Sequence, residues 1–314
     1  AGERLVFPAE AAAGKAGNPA VSEAEGGKGV SARFGPAGRP ESFAAMGFKR
    51  TAEIPAYLER FGLDAFEYQC GRGVRYAEKE LLELKEKAAG NVALSVHAPY
   101  YISLSSVEEE KRLASVKYIT DTAQAAWIMG GDRIVVHSGS CGKIAREEAL
   151  ELAKGTLRLA LDELRRMGLE GITVCPETMG KVNQLGSLSE VLELCAMDEG
   201  LLPCIDFGHL NARTFGGIRE RKDYAAILDA VEERLGTDRA SRFHAHFSKI
   251  AYTEKGGEKA HLTFADTVYG PDFEPLMEEV ARRGWSPRFI CESAGTQAED
   301  ARAMAEHYRR EMGK

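Results

Sequence analysis

Nine side chains able to ligate a cation stand at the same kind of place along this chain. His97, His137, Glu177, Asp206, His209, His244, His246, His261 and Glu292 each end a short run of β-prone residues or lie in the loop just beyond one. Taken alone, any one of these histidines is more often a hydrogen-bonded structural residue than a ligand, and a lone buried carboxylate readily pairs with an arginine. The joint pattern is different, because imidazoles and acids crowded into one water-poor mouth are costly unless something positive neutralises and orders them. A divalent metal does so. Mixed His and carboxylate donors suit zinc, manganese or iron, and the absence of thiolates from the set argues against a closed structural zinc site. Glu177 and Glu292 emerge from apolar strands, where an unpaired carboxylate is expensive, so both are expected to be coordinated. Side chains two apart on a strand share a face, so His244 and His246 point the same way. One of them is expected to be a ligand and the other to support it.

The elements that must position these groups follow from periodicity. Strands are expected over 31–36, 65–69, 92–98, 133–138, 171–177, 202–207, 242–248 and 288–293. Amphipathic helices are expected over 52–61, 76–88, 107–129, 144–167, 187–198, 222–235, 274–283 and 297–311. Ser106 before Glu109 and Ser187 before Glu190 have the spacing of a capping box, and Leu150, Leu157, Leu161 and Leu164 line one side of their helix. Eight β-then-α units match a single (β/α)8 TIM barrel, whose typical length is roughly 250 residues. The rival, a doubly wound open sheet, would show a GxGxxG turn after its first strand. The nearest run, CGRGVR at 70–75, lacks the third glycine and follows the second strand. In a (β/α)8 barrel the strand C-termini open onto one mouth, so the candidate ligands converge there.

Composition narrows the setting. Of 314 residues, 44% are hydrophobic and 28% charged, which fits an ordinary globular chain with a sizeable core. A formal net charge of -7 excludes nonspecific phosphate binding by bulk charge, so any nucleic-acid site must be local. No stretch approaches the roughly 18 apolar residues of a membrane span. Cys70, Cys141, Cys175, Cys195, Cys204 and Cys291 form no CxxC pair and are expected to be reduced thiols, and the opening AGERLVFPAEAAAGKAG lacks a signal-peptide core, so a cytoplasmic location is expected. Residues 1–30 lack periodicity and read as a flexible N-terminal arm or an appended remnant, leaving 31–314 as the catalytic barrel.

At this point a resemblance becomes specific. HAPYYISLSS at 97–106, VVHSGS at 135–140, PETMGKVNQLGS at 176–187, CIDFGHLNA at 204–212 and CES at 291–293 resemble the successive signatures of endonuclease IV. That is the zinc-dependent apurinic/apyrimidinic endonuclease family of the xylose-isomerase-like barrels, and the likeness extends over roughly residues 31–311. It implies two or three zinc ions, with Glu177 and Glu292 as catalytic carboxylates. His97 and His137 would hold one ion, and Glu177 would bridge it to a second completed by Asp206, Glu292 and either His246 or His244. His209 and His261 match the histidines of a third site. The aspartate expected two residues before His261 is replaced by Lys259, with Glu258 adjacent. Tyr100 matches the tyrosine that helps open the duplex. Arg72 and Arg75, expected to bind DNA, fall with Lys143, Lys181, Arg213, Lys249 and Lys255 in mouth-side loops where together they would give a local positive rim, although any single one of them is more often a solvated surface charge.

The resemblance implies hydrolysis of DNA phosphodiester bonds at abasic sites, with DNA as partner and neither membrane nor protein partner implied. The second reading is a sugar isomerase or epimerase on the same barrel. It needs Glu177, Asp206, a strand-seven histidine and Glu292, but not His209 with His261. The third is a degenerate barrel that binds metal or damaged DNA without cutting.

Overall fold

Each of the eight β-prone runs forms a strand, and side-chain alternation decides what the strands enclose. The structure is a computed structural model that describes residues 31–314, so the arm expected over 1–30 lies outside the described residues. The barrel strands are β1 (Arg33–Pro36), β2 (Ala65–Gln69), β3 (Ala93–His97), β4 (Arg133–Val136), β5 (Thr173–Pro176), β6 (Cys204–Asp206), β7 (His244–Phe247) and β10 (Arg288–Cys291). They pair in parallel as two ladders, β1-β10-β7-β6 and β2-β3-β4-β5. Two seams close the ring. Gly38 N–H donates to the Glu67 carbonyl at 2.9 Å beside the Ala37–Glu67 bridge, and Thr178 N–H donates to the Cys204 carbonyl at 3.0 Å beside the Glu177–Cys204 bridge. The first seam depends on Gly35, because a Cβ there would lie 1.7 Å from the Ala65 carbonyl oxygen.

Residues of one alternating set, among them Phe34, Phe66, Val96, Ile134, Val174, Ile205, Phe247 and Phe289, are buried outward against the helices and make the main core. The other set meets inside the ring and is unusually polar. Glu67, Ser95, His97, Glu177, Asp206, His244 and His246 are all buried there. At the N-terminal end, Arg288 closes the barrel by a two-pronged bond to Asp132 at 2.8 and 3.0 Å and a bond to the Leu94 carbonyl at 3.1 Å.

The eight expected helices form α2 (Ile54–Phe61), α3 (Glu78–Ala88), α4 (Glu109–Ile128), α5 (Arg146–Arg166), α6 (Leu188–Cys195), α8 (Arg221–Leu235), α10 (Glu274–Arg283) and α11 (Gln297–Met312). The four α5 leucines are buried as expected. Three short helices, α1 (Glu41–Ala45), α7 (Phe207–Arg213) and α9 (Thr237–Ala240), and a hairpin of β8 (Lys249–Thr253) with β9 (Gly257–Leu262) add to that plan. No described helix is long and apolar enough to cross a membrane. The six cysteines are free and buried.

The two expected capping boxes part company. Ser187 and Glu190 form one at α6. Ser106 does not cap α4, whose N-cap is Glu108. The Ser106 hydroxyl instead accepts the Glu108 N–H at 3.1 Å, and its carbonyl is taken by Arg112, so the turn ends before the helix begins.

Glu190 also anchors the loop after β5. It accepts from Gly186 N–H and Ser187 N–H, both at 2.8 Å, and from Arg146 at 2.7 and 2.8 Å. Burial pushes its pKa up, but Arg146 and the two amides outweigh burial and bring it down to about 2. With an unfolded value of about 4.3, this carboxylate stabilises the fold fully above pH ~4.3 and progressively less as pH falls toward 2. Glu190→Gln is therefore expected to lower stability by about 1–2 kcal/mol at pH 7. The gap from wild type should narrow by pH ~3, read from paired melts; a gap independent of pH would refute the assignment.

Candidate metal centre

The strand ends deliver the candidate ligands to one place. His97 is the last residue of β3, His137 and Glu177 follow β4 and β5 directly, Asp206 ends β6, His246 lies within β7, and Glu292 follows β10. Asp206 doubles as N-cap of α7. Its Oδ1 accepts His209 N–H at 2.7 Å, and that turn folds the His209 ring back over the site. His97, His137, Glu177, His209 and Glu292, together with Tyr100, Lys181, Glu258 and His261, line an open cavity of about 320 Å³ at the mouth of the barrel, with Asp206 and His246 buried behind them.

Glu177 is the hub. Its Oε2 lies 3.2 Å from His97 Nε2 and 3.0 Å from His137 Nε2, while Oε1 lies 3.1 Å from His246 Nδ1 and 3.3 Å from His209 Nδ1. One carboxylate thus faces four imidazoles, three delivered by β3, β4 and β7 and one by α7. Glu177, Asp206, His246 and Glu292 each offer a ligand atom within 4.8 Å of the others, and so do His97, Glu177 and His246.

The electrostatics suit a cation. Burial alone would hold the imidazoles neutral, yet the facing carboxylates win. His97 is raised to about 9 by Glu177, with Glu67 and Glu292 adding, and His209 and His246 are raised well above the ordinary value. Burial works equally against Glu177, and the histidines hold it well below the usual carboxylate range. Asp206, by contrast, is pushed up by burial, and its Oδ2, 3.2 Å from His209 Nδ1 but not aligned with it, is buried without a hydrogen-bond partner among the described residues. Protonated imidazoles here do the neutralising that divalent ions would do, and an orphaned carboxylate oxygen faces the cluster. The donor set therefore fits two neighbouring divalent ions sharing Glu177.

A further group lies at the rim. His209, Glu258 and His261 offer ligand atoms within 4.8 Å of one another, with His209 Nε2 3.4 Å from Glu258 Oε2. Glu258 reaches this position through a register shift. Ala251 pairs with Ala260 but Tyr252 pairs with Glu258, so Lys259 is an extra, unpaired residue on β9. This bulge reverses the alternation, and Glu258 and His261 share the inward face although three positions apart. Close backbone packing brings the hairpin in. A Cβ on Gly257 would lie 2.2 Å from the Gly180 carbonyl oxygen, and one on Gly180 would lie 2.6 Å from Glu258 Cβ.

The remaining expectations divide. Of the pair left open on β7, His246 faces Glu177 and Glu292, whereas His244 sits one layer deeper with Nε2 2.9 Å from Glu67, away from the carboxylate cluster. Tyr100 is exposed and lines the cavity. Arg72 and Arg75 are exposed in the loop after β2 but are not among its walls, where Gly71 is. Arg213 and Lys249 are not free for DNA. Arg213 donates to the carbonyls of Met179, Lys181, Val182 and Gln184, and Lys249 is bonded to the Asp266 carbonyl and Asp272. Sequence reasoning missed Glu67, a fully buried carboxylate in mid-β2. Its signal was alternation: in Ala65-Phe66-Glu67-Tyr68-Gln69, the charged residue shares a face with Ala65 and Gln69, toward the barrel axis.

Comparison with known proteins agrees with this architecture. Residues 55–311 match the family described as xylose isomerase-like TIM barrel. An uncharacterized protein of Methanocaldococcus jannaschii is 34% identical over 260 residues, covering 83% of this chain and 91% of that protein. Endonuclease 4 of Thermus thermophilus is 27% identical over 195 residues, covering 61% of this chain and 66% of that protein, in keeping with the motif resemblance. Among solved structures, a D-tagatose 3-epimerase-like protein superposes with a TM-score of 0.65 at 19% identity, covering 90% of this chain and 98% of that one. A closed ring of eight parallel strands, a carboxylate and histidine cluster at its mouth and a family match running from α2 through nearly all of α11 lead to one assignment: the chain belongs to the xylose isomerase-like TIM barrel family.

Proposed function

We propose that the protein is an endonuclease IV-like phosphodiesterase that hydrolyses DNA at abasic sites with zinc or a related divalent metal. The observation that carries this reading is the rim group of His209, Glu258 and His261 beside the Glu177 cluster, since a two-ion sugar isomerase has no need of it. Bound divalent ions would lower the pKa of water toward neutrality and stabilise charge developing on phosphate oxygens. His97, His137, Glu177, Asp206, His246 and Glu292 would hold two ions, and Glu177 would set their spacing by serving both. The rim group would hold a third where the departing sugar oxygen gathers charge. Tyr100, exposed over the cavity, offers a ring against a displaced nucleotide, and Lys181 adds positive charge to the wall. Because the ligands are protonated or hydrogen-bonded to one another without metal, loading must release protons. The expected location is the cytoplasm.

A second reading is favoured by one observation, the Glu177, Asp206, His246 and Glu292 set, which also fits a ketose held on one cation. The two separate in one experiment. Zinc-loaded protein is expected to nick a duplex containing a single abasic site, to leave an undamaged duplex intact, and to lose the activity on chelation and regain it on adding zinc. Turnover of a ketose panel without nicking would instead establish the isomerase.

A further inference from the structure

Directly beneath the cation-facing residues lies a polar layer that the chemistry above leaves unused. Glu67, Ser95 and His244 are fully buried in it, directly against His246, which faces the cluster and is itself fully buried. Glu67 Oε2 accepts from Ser95 Oγ and faces His244 Nε2, both at 2.9 Å, while Oε1 faces His246 Nε2 at 2.9 Å and Gln69 Nε2 at 3.4 Å. The opposite nitrogen of the same ring, His246 Nδ1, points at Glu177 Oε1 at 3.1 Å and lies 3.7 Å from Glu292 Oε2.

We propose that Glu67 is a positioning residue that fixes the tautomer and orientation of His246 so that its Nδ1 lone pair faces Glu177, Asp206 and Glu292. The inference rests on reading that cluster as a cation site. A carboxylate can only accept, so without metal both His246 nitrogens, facing Glu67 and Glu177, carry hydrogen; a bound cation takes the place of the hydrogen at Nδ1 and leaves the neutral ring a single one, which Glu67 holds at Nε2. Nε2–H toward Glu67 therefore leaves Nδ1 as the free donor of an electron pair. Glu67 is itself held, by Ser95 and His244 on its other oxygen. Among the described residues, His244 Nδ1 is buried without a hydrogen-bond partner, and the ring's other nitrogen is spent on Glu67. His244 braces Glu67, Glu67 orients His246, and His246 faces the cluster. Stacking of His246 on His97, with centroids 5.7 Å apart and planes at 22°, restrains the ring further.

The test uses the full chain, freed of metal and titrated with zinc against a chromophoric chelator, with bound zinc counted by mass spectrometry. Glu67→Gln keeps the size, but its amide can accept from only one of the two imidazoles. It is expected to weaken binding of one ion by about 10- to 100-fold. His244→Gln removes the ring but can place an amide N–H where Nε2–H faced Glu67, so the brace is kept and zinc binding is expected to stay close to wild type. In wild-type, zinc-loaded protein, nitrogen-15 spectra should show His246, identified by the peak lost in His246→Gln, protonated at Nε2. An Nδ1–H tautomer overturns the proposal even if Glu67→Gln fails to fold. So does Glu67→Gln binding zinc like wild type, or equal losses in Glu67→Gln and His244→Gln. Glu177→Gln separates the two levels: if it loses zinc while Glu67→Gln does not, the positioning role falls alone. If Glu177→Gln binds zinc normally, the cation reading falls first.

Discussion

Glu177→Gln is expected to abolish cleavage of an abasic duplex, by at least about 10³-fold, while leaving the barrel folded. The substitution is nearly isosteric, so the cavity keeps its shape. The loss is of charge and of lone pairs. Glu177 Oε2 faces His97 and His137, and Oε1 faces His246 and His209. An amide nitrogen in either place would point hydrogens at His97 and His137 Nε2 or at His246 Nδ1, which must present lone pairs to a cation, and a neutral group cannot offset two divalent charges in a buried site. Both neighbouring ions should be lost or loosened together, which metal counting would register alongside activity. Far-UV circular dichroism should match wild type. Wild-type turnover in this variant would remove the shared-carboxylate role altogether.

The fold was legible because alternation repeats eight times, and so was the gathering of the candidate ligands, because the C-terminal end of every barrel strand opens on the same mouth. What escaped the sequence lies where a local rule gives way to a long-range contact. Glu67 sits in mid-strand, and attention to strand ends passes over it; only its partners on β7, 177 and 179 positions away, reveal its use. Two members of the basic rim are spent on the fold for a related reason. Arg213 and Lys249 are long enough to reach backbone carbonyls in neighbouring loops, so a charge written in a mouth-side segment ends in holding that segment together. Ser106 had the spacing of a cap, but its hydroxyl bonded a turn two residues short of α4.

The rim group is the clearest case, and it yields the second large effect. Read as a regular strand, Glu258 and His261 point to opposite faces, and Lys259 stands where the resemblance calls for an acid. The bulge at Lys259 removes both difficulties by bringing Glu258 across to His209. Glu258→Ala is accordingly expected to lower bound metal by one ion per chain and cleavage by about 10²-fold or more, the scale of losing one stabilising group for developing charge. Deleting Lys259 is expected to do neither. Without the extra residue, Tyr252 still pairs with Glu258 and Ala251 with Ala260, and Glu258 and His261 become neighbours two apart on a flat strand, again on one face. A deletion in the middle of a strand normally turns every following side chain over; here it would restore the phase. Metal content and nicking activity close to wild type in the deletion, set beside a lost ion in Glu258→Ala, would establish that Lys259 is a spacer and Glu258 the ligand. The reverse pattern, with the deletion losing the ion and Glu258→Ala keeping it, would show that the rim group is held together by something other than that glutamate.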